Sequence, residues 1–106
     1  MKKCKCLLAL LLCAVMLLTV SGCTVSFTYQ KARNLFIKEQ YEEAVKKFEE
    51  LGDYGDSQEM VSICYYELGR EAMRAEQWQK AIDYFGKTDY QDAAEKLQEC
   101  KDKLKD

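Results

Sequence analysis

The chain has 106 residues with 16 basic and 18 acidic side chains, a net charge of −2, no histidine and no proline. A balance this close to neutral argues against nucleic acid as a partner, because phosphate binding needs concentrated positive charge. The lack of histidine removes the commonest general base and the usual zinc constellations.

In chain order, the first element is a positive head of Lys2, Lys3 and Lys5, followed by Leu7 to Val20, 14 residues without a charge. Such a run is short for a membrane span of about 20 residues and has the layout of a secretory signal. Val20-Ser21-Gly22-Cys23 closes it and closely resembles the lipobox of bacterial lipoproteins. The resemblance implies a signal peptide over 1–22, cleavage between Gly22 and Cys23, and acylation of Cys23 with palmitate-type chains. Cys23 then becomes the first mature residue, lipid-anchored at the extracytoplasmic face of the cell membrane. A rival expectation keeps the N-terminal segment as an uncleaved single-pass anchor.

Removal of 22 residues leaves 84, enough for one small domain near the size where a single core supplies only a few kcal/mol. Three lysines and no acids leave with the signal, so 13 basic residues face 18 acidic ones and the net charge becomes −5. Of six cysteines, Cys4, Cys6 and Cys13 fall in the signal and Cys23 carries lipid. Cys64 and Cys100 remain, either as a bridge or as two small buried side chains; their equivalence in the repeat below favours burial.

The rest of the chain repeats. At an offset of 37, Leu35 falls on Ala72, Phe36 on Met73, Gln40 on Gln77, Tyr41 on Trp78, Ala44 on Ala81, Val45 on Ile82 and Phe48 on Phe85. One residue less aligns Asp53-Tyr54-Gly55-Asp56 with Asp89-Tyr90-Gln91-Asp92, Glu59 with Glu95 and Cys64 with Cys100. Apolar residues recur at helical spacing, as in Ala32, Leu35, Phe36, or Met60, Ile63, Cys64, Leu68, Ala72, so each helix has one face to bury. A period of 36 to 37 residues belongs to helical-pair arrays. The expected architecture is all-α: helices near 29–39, 41–51, 57–75, 77–86 and 91–105, after a lipidated cysteine and short tether over 23–28. Gly52 and Gly86 stand where the second helix of each pair stops, the usual place for a left-handed closing residue. Mid-helix Gly69 points to close approach by a neighbouring helix.

Tyr65-x-x-Leu68-Gly69 followed by Trp78-x-x-Ala81-x-x-x-Phe85 resembles the tetratricopeptide pattern of paired helices, although the family's closing proline is absent and Thr28 stands at one aromatic position. Leu51-Gly52-Asp53-Tyr54-Gly55-Asp56-Ser57 is similar to the "LGDYxDS" connector of tetratricopeptide-like repeats in surface proteins of Gram-positive bacteria. The resemblance implies a short α-solenoid over 29–106, two helical pairs and a C-terminal capping helix, that binds protein or peptide.

The connector acids admit two readings. Asp53, Asp56 and Glu59 supply oxygens of the kind calcium takes, but a calcium loop places its ligands at alternate residues around a glycine. The favoured reading makes Asp56 with Glu59, and Asp92 with Glu95, helix-capping motifs in which the aspartate accepts from free amides and the glutamate reaches back. No metal and no cofactor are expected.

Among the aromatics, Tyr66 and Tyr84 fit the inward stripe least well and are the candidates for partner contact. The leading functional expectation is a non-catalytic lipoprotein scaffold whose unidentified protein or peptide partner is membrane-proximal. Two pairs are few for a stable stack, so the open end at Tyr29 is expected to dock on a partner or a second copy, as a homo-oligomer, or the domain is only marginally stable. An enzyme, most plausibly a small carboxylate-dependent hydrolase, is the rival class. Its acids are all accounted for by solvated faces and caps, and no nucleophile, base and orienter set is present.

Overall fold

The computed structural model describes residues 24–105, and those residues are all-α. Helix α1 covers 24–37, followed by α2 (Tyr41–Leu51), α3 (Ser57–Arg74), α4 (Trp78–Phe85) and α5 (Ala93–Lys105). From α2 onward each helix packs on the next in the chain. Gly22 and Cys23, with the whole of the expected signal peptide, lie outside the described residues.

The largest departure from the sequence expectation is at the start. Residues 24–28, expected as a tether, form the first turns of α1. Val25, Thr28, Tyr29 and Ala32 share one helical face and are at least half-buried, while Ser26, Phe27, Gln30 and Lys31 stay exposed. The Thr28 hydroxyl donates to the Thr24 carbonyl at 2.9 Å, a bond that satisfies threonine inside a helix. Five helical residues rise only about 7.5 Å, so this stretch reaches less far than an extended tether.

The α1–α2 and α3–α4 turns have the same backbone geometry. Glu39 is left-handed (φ 63°), its amide donates to the Phe36 carbonyl at 3.0 Å, and the Gln40 amide donates to Leu35 at 2.9 Å. Thirty-seven residues on, Glu76 (φ 58°) donates to Met73 at 3.0 Å and Gln77 to Ala72 at 2.9 Å. This crossed bonding satisfies the last free carbonyls of α1 and α3, and glutamate takes the place glycine usually holds. Gly52 closes α2 with φ 59°, as expected, but Gly86 is right-handed at φ −67°. The α4 ladder runs through it, with the Gly86 amide on the Ile82 carbonyl at 2.9 Å. The left-handed residue of the second connector is Gln91 (φ 50°), in the place of Gly55 (φ 55°).

Two apolar clusters form the core. The first joins Ala32 of α1, Ala44, Val45 and Phe48 of α2, and Cys64 and Leu68 of α3; the second joins Tyr66 and Ala72 of α3, Ala81 and Phe85 of α4, and Ala93 and Cys100 of α5. Helix α3 has a side chain in both, so it couples them. Cys64 and Cys100 are free thiols, each fully buried and each in a different cluster. Burial pushes the Cys64 thiol up to about 12 and raises Cys100 as well. On α5, Ala93 and Cys100 are buried and Leu97 half-buried, whereas Leu104 is 49% exposed near the end of the helix.

Gly69 explains how α4 comes so near α3. A Cβ there would lie 2.7 Å from two ring carbons of Phe85, itself only 1% exposed. Alanine is the better helix former by about 1 kcal/mol, yet overpacking a tight core costs about 1–3 kcal/mol. Gly69→Ala is therefore expected to lose up to about 2 kcal/mol net, read as a lower urea midpoint at unchanged slope. Adding Phe85→Leu should recover part of the loss; a stabilised Gly69→Ala variant would refute the contact.

Candidate functional site

One side-chain constellation occurs twice. Tyr29 packs edge-on against Phe48 (ring centroids 6.1 Å apart, 74° between planes) and against Tyr54 (5.4 Å, 70°), and its hydroxyl donates to the Asp56 carboxylate. Tyr66 packs edge-on against Phe85 (5.8 Å, 67°) and Tyr90 (5.4 Å, 71°), and its hydroxyl donates to Asp92. Arg33 and Arg70 lie over the respective tyrosine rings, 5.8 and 6.0 Å from the centroids. Each tyrosine thus ties the first helix of a pair to the phenylalanine of the second and to the connector beyond. The edge-to-face geometry sets the electropositive ring edge against a π face.

At Asp56 this clasp takes the place of the expected side-chain cap. Asp56 and Asp92 do open α3 and α5 with their backbone carbonyls, which accept from the Met60 amide at 2.9 Å and the Lys96 amide at 3.0 Å. The Asp56 side chain makes no cap bond, however, because its carboxylate is turned to Tyr29. The Asp92 carboxylate takes the Tyr66 hydroxyl and lies 3.8 Å from Lys96 Nζ. Glu59 and Glu95 are exposed in the first turns of α3 and α5. A tyrosine hydroxyl outcompetes the helix amides because its ring is already fixed beside the connector by the aromatic packing.

Tyr66 is also corrected as a partner contact: at 5% exposure it belongs to the core. Tyr84 is different. It is half-buried, stacked against Tyr65 (6.3 Å, 28°), and donates to Glu42 Oε1 at 3.0 Å. Tyr65 in turn donates to Glu49, and Lys87 Nζ lies 5.2 Å from its ring centroid. These tyrosines, with Val45 and Leu68, line a hollow of about 350 Å³ between α2 and α4. Two further hollows adjoin it, sharing Glu42 and Leu68 and adding Glu39, Glu43 and Glu71. Their combined lining has five glutamates, Glu39, Glu42, Glu43, Glu49 and Glu71, against Lys46 and Lys80. The result is an acidic groove with an apolar, aromatic floor.

The phenols of this region resist ionisation. Burial, then the bond to Glu49, pushes Tyr65 up to about 12; burial and Glu42 raise Tyr84. The bond to Asp92, then burial, pushes Tyr66 up to about 12, and the same bond holds Asp92 below its ordinary value. All these groups are donors or acceptors fixed by neighbours. Among the described residues no group of three or more cysteine, aspartate or glutamate side chains is placed to hold a metal ion, and no helix is long and apolar enough to cross a membrane. Neither family models nor curated proteins nor solved structures give a match to this chain.

Sequence reasoning missed the clasp, although its signal was present. Tyr29 and Tyr66, like Arg33 and Arg70, are 37 residues apart, and Asp56 and Asp92 are 36 apart. The groove glutamates left no comparable mark because acids also fill the ordinary solvated faces.

A raised tyrosine pKa means that the neutral phenol is favoured in the folded state. Its stabilisation is complete below the ordinary value of about 10 and drains away as pH climbs towards about 12. Asp92 works the other way: its contribution is present above the ordinary value of 3.8 and is lost as pH falls below it. Circular dichroism against pH should therefore show a plateau with an alkaline loss that coincides with tyrosinate absorbance. Tyr66→Phe should lower the melting temperature at neutral pH and make the alkaline limb shallower. Complete ionisation of every tyrosine near pH 10, with the fold intact, would count against these bonds.

Proposed function

We propose that the protein is a non-catalytic bacterial lipoprotein, anchored through Cys23 on the extracytoplasmic face of the cell membrane. Its tetratricopeptide-like helical pairs form a scaffold for a membrane-proximal protein or peptide partner. The observation that carries the scaffold reading is the twofold recurrence of the tyrosine clasp and of the glutamate turns at the period of the sequence repeat. Repeats joined by equal contacts form extended surfaces suited to extended ligands. The anchoring reading rests on Lys2 to Val20 and on Val20-Ser21-Gly22-Cys23.

Within that reading the groove between α2 and α4 is the contact surface, and its lining defines the partner's chemistry. Five glutamates over an aromatic floor suit a segment that alternates basic with apolar side chains. Opposite charge steers such a segment in, and the tyrosines and Leu68 supply the buried contact.

Two measurements test the two halves. For the anchor, cells grown with labelled palmitate should label the wild-type protein, and Cys23→Ala should lose the label and accumulate a slower-migrating precursor. An uncleaved anchor would show no shift. For the scaffold, photoreactive residues at positions 65 and 84 should capture one and the same protein in intact cells, and Glu42→Lys with Glu71→Lys should abolish the capture. Equal capture from position 99, on exposed α5 surface, would defeat the groove assignment.

A further inference from the structure

The 18 acidic residues all lie at or beyond Glu39. Between Cys23 and Lys38 there is no acid, while Lys31, Arg33 and Lys38 supply three positive charges. Helix α1 is therefore a basic element on a domain whose remaining surface is acidic.

Its outward face is also apolar in places. Phe27 is 70% exposed and Ile37 72%, the two most exposed large hydrophobic side chains of the described residues. At about 100° per residue, Phe27, Lys31 and Asn34 of α1, with Lys38 at the first position beyond its end, fall on one stripe within about 60° of each other, and Ile37 flanks it. All four are exposed. The opposite face of α1 is spent on the core through Ala32, Tyr29, Leu35 and Phe36.

Among the described residues nothing covers the stripe, but the sequence indicates what does. Phe27 is four residues after Cys23, the proposed acylation point, so the acyl chains bring a bilayer to this end of the chain. Whatever surface receives the N-terminal segment is the surface that Phe27 meets first. A bilayer with acidic headgroups fits both features: the lysines meet the lipid phosphates, and Phe27 enters the headgroup boundary with Ile37 alongside.

We infer that the outer face of α1, formed by Phe27, Lys31, Asn34 and Lys38 with Ile37 beside it, lies on an anionic lipid surface and fixes the orientation of the domain on the membrane. The inference rests on the proposed anchoring through Cys23 for its direction, since it takes the membrane to be at the N-terminal end. A domain held this way has α1 against the lipid and its acidic remainder kept off the negatively charged headgroups. The lipid sets distance from the membrane; the α1 face sets rotation about the anchor.

The test uses the full chain, purified from the membrane fraction and reconstituted in phosphatidylcholine vesicles with and without phosphatidylglycerol. Phe27→Trp is placed in a Trp78→Phe background; Phe27 is exposed, so the change adds no strain to the core. In anionic vesicles its emission is expected to shift to the blue and to be quenched by brominated lipid, while native Trp78 in the unaltered chain is not. Lys31→Glu with Lys38→Glu, both on the surface, should reduce the quenched fraction at least about twofold, as should high salt.

Three results would overturn the inference. One is a position-27 tryptophan equally open to acrylamide with and without anionic lipid. Another is unchanged quenching after the lysine reversals. The third is protection that follows protein-to-lipid ratio instead of lipid charge, which would assign the face to a second copy of the chain. The palmitate label separates the two claims: label without quenching refutes the orientation alone, and quenching without label refutes the acyl anchor alone.

Discussion

The structure depends on keeping Phe48 and Phe85 dry. Each comes from a short helix, α2 or α4: Phe48 shares its cluster with Ala32 of α1, and Phe85 presses on α3 at Gly69. Burial of a phenylalanine contributes about 1.5–3 kcal/mol relative to exposure, a large fraction of what so small a domain can muster. The tyrosines then close over the phenylalanines. Because Tyr29 and Tyr66 also bind the connector aspartates, aromatic packing within a pair and attachment of the following helix are a single event.

That coupling explains which features were legible in the sequence. The apolar stripes gave the boundaries of α2 as found and those of α3 to α5 to within two residues, because periodicity is a direct imprint of one-sided burial. Gly69 was readable for the same reason, since a residue without a side chain inside a helix implies something pressed against it. The start of α1 was less readable: β-branched Val25, Thr24 and Thr28 are weak helix formers, yet the helix runs through them, with Val25 and Thr28 on its half-buried face. The connector was misread because aspartate at a helix start has two partners within reach, and only the position of a tyrosine 27 residues earlier decides between them. Likewise the left-handed Glu39 and Glu76 have no composition cue, and crossed hydrogen bonds hold them in place.

The two outer surfaces divide the chemistry between them. Helix α1 carries positive charge and exposed apolar groups, while Glu39, α2 and α3 gather carboxylates around the groove that holds Tyr65 and Tyr84. Segregation of this kind makes the domain an oriented dipole in any charged environment, and it strengthens at low ionic strength. On the proposed function the acidic groove would repel anionic lipid and the α1 stripe would repel a basic partner segment, so the two proposed ligands would not compete for one surface.

Cys64 and Cys100 carry a last consequence. Each thiol is fully buried, each is held protonated by its surroundings, and they sit in separate clusters. The thiolate is the form that oxidants, metals and electrophiles attack, so neither sulfur offers a point of entry while the fold is intact. Neither sulfur takes part in a disulfide, so the two clusters are held together without a covalent cross-link.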